Sequence, residues 1–259
     1  MRGFNEDIEI GDLYEEADDK YNHLFHIGIS TTAGRLTTCC ERLIQSLLAV
    51  TIDKNITISV ICNTKHNWEK IPDYWPNVTV TDELKPISWM RNQHTMKSDR
   101  PYIIWFDDDS IVAHPQVIQQ LAFAHVNTGF DVIRGFVNNC CISAHKSVLS
   151  EIGWWEERYV SWGEDTEWHM RLEKLRYKQN LEHNKARITD GLIVNHRHSP
   201  ICNFDDSKVN WPTLHKEKWG LEQIQPENDE HMRSLVRGLE EIDFYPGYLE
   251  KFKHMEKIS

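Results

Sequence analysis

The sequence predicts an α/β fold built on a mostly parallel sheet flanked by helices, and three observations predict it. Short β-rich runs alternate with segments of helical period along the first half of the chain, the pattern of strands joined by crossover helices. One run, Tyr102 to Phe106, is apolar without alternation, as in a strand covered on both faces. The 259 residues, 40% of them apolar, are enough chain to bury the core such a sheet requires.

After an acidic leader over residues 1–22, His23 to Ser30 reads as the first strand, and Thr31 to Gly34 as the turn that caps a helix. Leu36, Cys40, Leu43, Ile44, Leu47 and Leu48 recur at helical spacing and give that helix one buried stripe. Ile56 to Cys62 is the second strand, Val78 to Thr81 a short third, and Tyr102 to Phe106 the fourth. The stretch from about Asp131 to Pro200 is less regular, with strand candidates at Val132 to Phe136 and Gly191 to Val194. Thr166 to Tyr177 is a helix, since Trp168, Leu172 and Leu175 share a face and acidic residues precede it. The organisation expected is an α/β domain over 23–202, divided into halves 23–130 and 131–202, and a helical C-terminal extension over 203–259.

Composition limits the function classes. With 27% charged residues the chain is no disordered tail, and no apolar run approaches the ~18 residues of a membrane span. The 29 Lys and Arg against 40 Asp and Glu give a net charge of −11, which opposes long-range attraction to nucleic acid or anionic lipid. The leader lacks the basic and apolar regions of a signal peptide, and the six cysteines are spaced neither as a zinc site nor as a disulfide framework. They read as reduced thiols in the cytoplasm, where the sequons at Asn55 and Asn77 carry no meaning.

Three segments carry chemistry. Asp107-Asp108-Asp109 directly follows a buried strand, and ligands of α/β sheets bind just beyond the carboxyl ends of the strands. Extended chain puts Asp107 and Asp109 on one side and Asp108 on the other. Carboxylates so close repel unless a cation lies between them, and oxygen donors suit Mg2+ or Mn2+; an ordinary acidic turn is the bland alternative. Trp162-Gly163-Glu164-Asp165 places an acid pair at a helix mouth, where a charged cap is the simplest role. Trp155, Tyr159 and Trp162 crowd the same stretch, as a sugar-stacking platform or as core. In Asn195-His196-Arg197-His198, one histidine can complete a manganese site or serve structure alone.

Taken in order, Ile27 to Thr31, Trp89-Met90-Arg91-Asn92-Gln93, Tyr102 to Ser110, Cys141 to His145, Trp162 to Arg171, and His196 resemble the motifs of a GT-A glycosyltransferase. The likeness is to the large family 2 group over residues 23–200, and the second half is also similar to the β-galactosyltransferases and polypeptide N-acetylgalactosaminyltransferases. It implies a Rossmann-like GT-A domain that moves a sugar from a nucleotide sugar, UDP-linked, to an acceptor hydroxyl with Mn2+ or Mg2+. By resemblance Asp109 binds the metal with Asp107 and His196, and His198 lies two positions away as the other candidate. Asp107 or Asp108 faces the ribose or metal. Thr31 and Asn63 lie near the base, Asn63 standing where aspartate is more usual, and Arg91 matches the arginine of an R-N pair on the donor side. Asp165 matches the general base, with Glu164 beside the acceptor and Trp155, Tyr159 and Trp162 around it. A base of this kind suggests inversion; retention is the alternative, because the N-acetylgalactosaminyltransferases share much of the second-half pattern and retain.

Two rivals are a sugar-nucleotide nucleotidyltransferase and a cation-dependent carbohydrate-binding module. The first needs a glycine-rich basic loop that Ser30 to Arg35 does not supply, and the second has no use for Asp165. Lys174, Arg176, Lys178, Lys185 and Arg187 read as a solvated basic face; an anionic acceptor, a phosphorylated glycan or a modified nucleobase, is the functional alternative.

Overall fold

The computed structural model describes residues 8–10, 18–32, 35, 39–51, 55–63, 71, 73–128, 130–135, 141–159, 163–179, 185–188, 193–195, 213–214 and 216–217. The strands are β1 (Ile8–Ile10), β2 (Phe25–Thr32), β3 (Thr57–Asn63), β4 (Val78–Val80), β5 (Tyr102–Asp107), β6 (Ser110–Val112), β7 (Val132–Gly135), β8 (Cys141–His145), β9 (Lys185–Ile188) and β10 (Ile193–Asn195). The helices are α1 (Glu41–Thr51), α2 (Ile87–Lys97), α3 (Val117–Thr128), α4 (Lys146–Ile152) and α5 (Glu164–Gln179). One eight-stranded sheet runs in the order β1-β9-β7-β8-β5-β2-β3-β4, and only β8 is antiparallel to its neighbours. A small antiparallel ribbon pairs β6 with β10, Asn195 opposite Ser110.

The period-2 alternation of the strands sorts the core onto two faces. Phe25, Ile27 and Ile29 of β2 join Ile104 and Phe106 of β5 in one cluster with α1 and α3. Ile103 and Trp105 point the other way, into a second cluster with α4 and α5. The α1 stripe is buried as its spacing predicts, with Leu43 and Leu47 fully inaccessible. Among the described residues no helix is long and apolar enough to cross a membrane, and Cys39, Cys40, Cys62 and Cys141 are buried thiols. The expected helical C-terminal extension lies outside the described residues except for 213–214 and 216–217.

Several boundaries differ from expectation. β2 continues through Thr31 and Thr32, which pair with Cys62 and Asn63 of β3, so the turn expected from Thr31 is strand at its first two residues. α5 starts two residues early, at Glu164, following Gly163, whose φ of 82° suits glycine. Asn55 and Asn77, the sequon residues, also have positive φ, a backbone state that asparagine tolerates better than most residues.

Helix α2 crosses β2 unusually closely, over a strip of small and polar side chains. A Cβ on Gly28 would lie 2.5–2.8 Å from three atoms of His94. His94 is fully buried and joins a polar chain whose direction follows from its end. The Ile29 carbonyl can only accept, so His94 Nε2–H donates to it at 3.1 Å, leaving Nδ1 to accept from the Ser59 hydroxyl at 2.7 Å. Ser59 then accepts from His26 Nε2–H at 2.8 Å, and Thr57 donates to His26 Nδ1 at 2.8 Å. Burial pushes His94 down to about 3 and His26 down to about 4, so both are neutral links. Gly28→Ala is expected to destabilise the protein by about 1–3 kcal/mol through overpacking. Urea unfolding measures this, and an unchanged midpoint contradicts the tight crossing.

Candidate active site

Alternation and a reversal of the chain together build the acidic cluster. Asp107, the last residue of β5, shares the face of Ile103 and Trp105 and so meets α2, where Arg91 Nη2 donates to its Oδ1 at 3.0 Å. Asp108 falls on the opposite face, beside the end of β2. Thr31 Oγ1 donates to its Oδ2 at 2.6 Å, and the Arg35 guanidinium lies 2.6 Å from its Oδ1. Asp109 was expected on the side of Asp107, and the structure corrects this. Residues 108 and 109 form the turn into β6, and Asp109 contacts the same Arg35 nitrogen at 3.1 Å. The turn ends the alternation, and the arginine gathers the last two carboxylates on one side.

Glu164 brings the helix mouth to this cluster. Its carboxylate is buried, and Oε1 accepts from Arg91 Nη1 at 3.3 Å while Oε2 has no hydrogen-bond partner. Arg91 thereby bridges Asp107 and Glu164, residues far apart in sequence, and is itself 4% exposed. Burial is the main force pushing Asp107 up to about 6, Asp108 up to about 7 and Glu164 up to about 7. The arginines pull in the other direction and do not fully compensate. Asp165 Oδ1 accepts from the Thr166 backbone N–H at 2.7 Å, which leaves its other oxygen outside that contact.

The R-N pair joins α2 to residues 155–164. Beside Arg91, the buried Asn92 donates to the Trp155 carbonyl and to Glu157 Oε1, both at 3.0 Å, and accepts from the Trp155 N–H at 3.0 Å. Arg91 lies over the Trp155 ring, 4.5 Å from its centroid. Trp155 in turn stacks on Trp168 at 4.9 Å and meets the edge of Trp105. The sequence gives no sign of this stack beyond its tryptophan count.

Other expected site residues take different parts. Trp155 and Tyr159 are 0% exposed, so neither offers a face to a sugar; the aromatic platform is corrected to a buried support beneath Arg91. Trp162 lies outside the described residues, as do His196 and His198. Asn63 ends β3 at the expected edge, but its amide is turned inward. It accepts from Lys85 N–H at 2.8 Å and donates to Lys85 O at 2.6 Å, fixing the loop after β4. Aspartate could not make the second bond, which accounts for asparagine here. Thr31 likewise spends its hydroxyl on Asp108.

A divalent ion fits the donor set by charge and by atom type. Five carboxylates, Asp107, Asp108, Asp109, Glu164 and Asp165, face two guanidinium groups, and oxygen-only donors suit Mg2+ or Mn2+. Among the described residues no three His, Cys, Asp or Glu side chains already converge in a geometry that could hold a metal. Arg91 draws Asp107 one way while Arg35 draws Asp108 and Asp109 the other.

No protein-family model matches the chain, and no curated protein matches it in sequence. Solved structures match it in fold. A mannosyltransferase from Pyrobaculum calidifontis in complex with GDP-Man and Mn2+ superposes with a TM-score of 0.58 at 9% identity, over 87% of this chain and 72% of that one. Glucosyl-3-phosphoglycerate synthase from Mycobacterium tuberculosis in complex with Mg2+ and UDP gives 0.56 at 11% identity, over 81% and 86%. S. aureus TarS 1-349 in complex with UDP gives 0.51 at 11% identity, over 79% and 76%. All three are GT-A-type glycosyltransferases. This chain has the GT-A fold. In its GT-A domain the parallel strands β2, β3 and β5 end together at one edge, and the aspartate turn closes that edge beside the mouth of α5.

Proposed function

We propose that the protein transfers a sugar from a nucleotide sugar to an acceptor hydroxyl, with Mn2+ or Mg2+ bound at the aspartate turn. The observation that carries this is the cluster of carboxylates at the carboxyl edge of the sheet, in a fold whose solved relatives hold Mn2+ or Mg2+ with UDP or GDP-Man. Asp109 and Asp107 hold the ion. His196 is the third ligand of this reading; it follows β10, whose last residue pairs with Ser110, the neighbour of Asp109. When bound, the ion neutralises the charge that develops on the leaving diphosphate. Arg91 fixes Asp107 and Glu164 in one plane of contacts, and Thr31 orients Asp108 toward the ribose side. Asp165 takes the proton from the attacking hydroxyl, and Glu164 orients that hydroxyl through its unpartnered oxygen.

This assignment makes inversion the expected outcome, since a base acting on the incoming hydroxyl serves direct displacement. The acid-pair roles of Glu164 and Asp165 rest on the motif resemblance read in the sequence over Trp162 to Arg171. A UDP-linked donor, a glycan acceptor and cytoplasmic action complete the reading.

Calorimetric titration with UDP-glucose and GDP-mannose, with Mn2+ or with excess chelator, tests it. Donor binding is expected only with the metal, and Asp109→Asn is expected to abolish it. The pH dependence has a definite sign. Metal needs ionised carboxylates, and Asp107 loses its proton near 6, so binding releases protons and strengthens as pH rises. Between pH 7.5 and 5.5 the protonation of Asp107 is expected to weaken Mn2+ binding by about fourfold. Donor binding at full strength in chelator overturns the metal role; glycan binding without any nucleotide points to the binding-module rival.

A further inference from the structure

We propose that Arg35 is a tethered counter-cation that holds the Asp108–Asp109 pair in the absence of metal, so that binding of the divalent ion and release of the Arg35 guanidinium are a single exchange. The inference rests on the divalent-ion reading of the aspartate turn. One nitrogen, Nη2, lies 2.6 Å from Asp108 Oδ1 and 3.1 Å from Asp109 Oδ2, the bridging position a cation takes between two carboxylates. All three side chains are largely withdrawn from water, with exposures of 13% for Arg35, 8% for Asp108 and 20% for Asp109, so the pairing is little screened.

Space and charge both favour the exchange. Mn2+ or Mg2+ binds carboxylate oxygen at roughly 2.0–2.2 Å, so an ion on Asp109 Oδ2 competes with the guanidinium nitrogen that now holds that oxygen from 3.1 Å. Two like charges held that close repel. Arg35 also explains why Asp109 leaves the side of Asp107 that strand alternation assigns to it. While the guanidinium holds Asp109 beside Asp108, Asp107 stays with Arg91, and the ligands are kept apart. Thr31 holds the far oxygen of Asp108 in place, so the departing group is the arginine and not the carboxylate.

The experiment is a Mn2+ titration of the full chain without nucleotide at pH 7.5, following free Mn2+ by electron paramagnetic resonance, for wild type, Arg35→Gln and Arg35→Lys. Arg35→Gln is expected to bind Mn2+ about tenfold to a hundredfold more tightly than wild type, the factor that a charge-assisted hydrogen bond supplies. Arg35→Lys is expected to fall between them, because one ammonium keeps the charge without the planar fork. A second measurement does not depend on the variants' affinities: in 15N-arginine-labelled wild type, the Nε–H resonance missing from folded Arg35→Gln or Arg35→Lys is expected to move as Mg2+ is added. If wild type binds Mn2+ and Arg35→Gln binds it no more tightly, with the Arg35 resonance unmoved, the exchange is overturned while the metal site stands. If none of the three proteins binds Mn2+, the divalent reading itself falls and the exchange with it.

Discussion

A folded Asp165→Asn protein is expected to bind its nucleotide sugar as wild type does and to turn over about 10²–10⁴ times more slowly, the range that general-base catalysis supplies. The substitution separates chemistry from architecture. Asp165 Oδ1 accepts the Thr166 N–H at 2.7 Å at the start of α5, and the carbonyl oxygen of asparagine can accept the same bond. Asparagine also serves well at helix starts, so the cap reading forecasts almost no change in stability or rate. Glu164→Gln is the informative companion, because it removes the charge paired with Arg91 and is expected to disturb donor binding and folding as well as rate. Single-turnover rates with donor affinity measured separately decide the matter. Normal turnover by a folded Asp165→Asn protein returns the residue to the cap and leaves the proposed reaction without its base.

Arg171→Ala is expected to cost about 3–5 kcal/mol of folding stability, because it strands a buried carboxylate. Arg171 makes a two-bond pair with Glu167, Nε to Oε1 at 2.8 Å and Nη2 to Oε2 at 2.7 Å, and Glu167 is 0% exposed. Its remaining donors bind the carbonyls of Ile152 at 2.6 Å and Trp154 at 2.8 Å, closing the end of α4 around Gly153. Unfolding in urea reads the loss. A double substitution of Glu167 and Arg171 to methionine is expected to recover much of it, since apolar replacement of a buried pair is often neutral. A loss under about 1 kcal/mol in the single variant contradicts the buried-pair account. The change reaches the site through Trp154 and Trp155, on which the position of Arg91 depends.

The parts of this fold that the sequence makes legible are those whose burial is apolar. β2, β3 and β5 are runs of Ile, Val and Phe covered by helices, and α1 carries a clean stripe. Helix α2 has no such stripe because, apart from Met90, the residues it buries are polar: Ser88, Arg91, Asn92, His94 and Thr95. Their partners, such as the Ile29 carbonyl and the Trp155 backbone, are distant in sequence, so no local pattern reveals them. The Asp107 to Asp109 cluster was legible as three acids after a buried strand. Its partition was not, because a tight turn at 108–109 and a single arginine in a polar segment override alternation. Aromatic residues mislead for a related reason: composition gives their number, while only packing tells a buried support from an open face. Asn63 stands at the strand end that the motif order indicates, yet which way its amide turns depends on the Lys85 backbone.

The adjacent pair Arg91-Asn92 has a consequence for how this architecture can be recombined. Asn92 spends its amide on the Trp155 backbone and on Glu157, while Arg91 divides its terminal nitrogens between Asp107 and Glu164. The segments before and after position 141 are therefore not interchangeable cassettes. A chimera that imports the residues after position 141 from another GT-A protein is expected to inherit a tryptophan loop with no matching clamp and to leave Arg91 without one of its two carboxylates. Exchange across this fold has to carry α2 along with those residues.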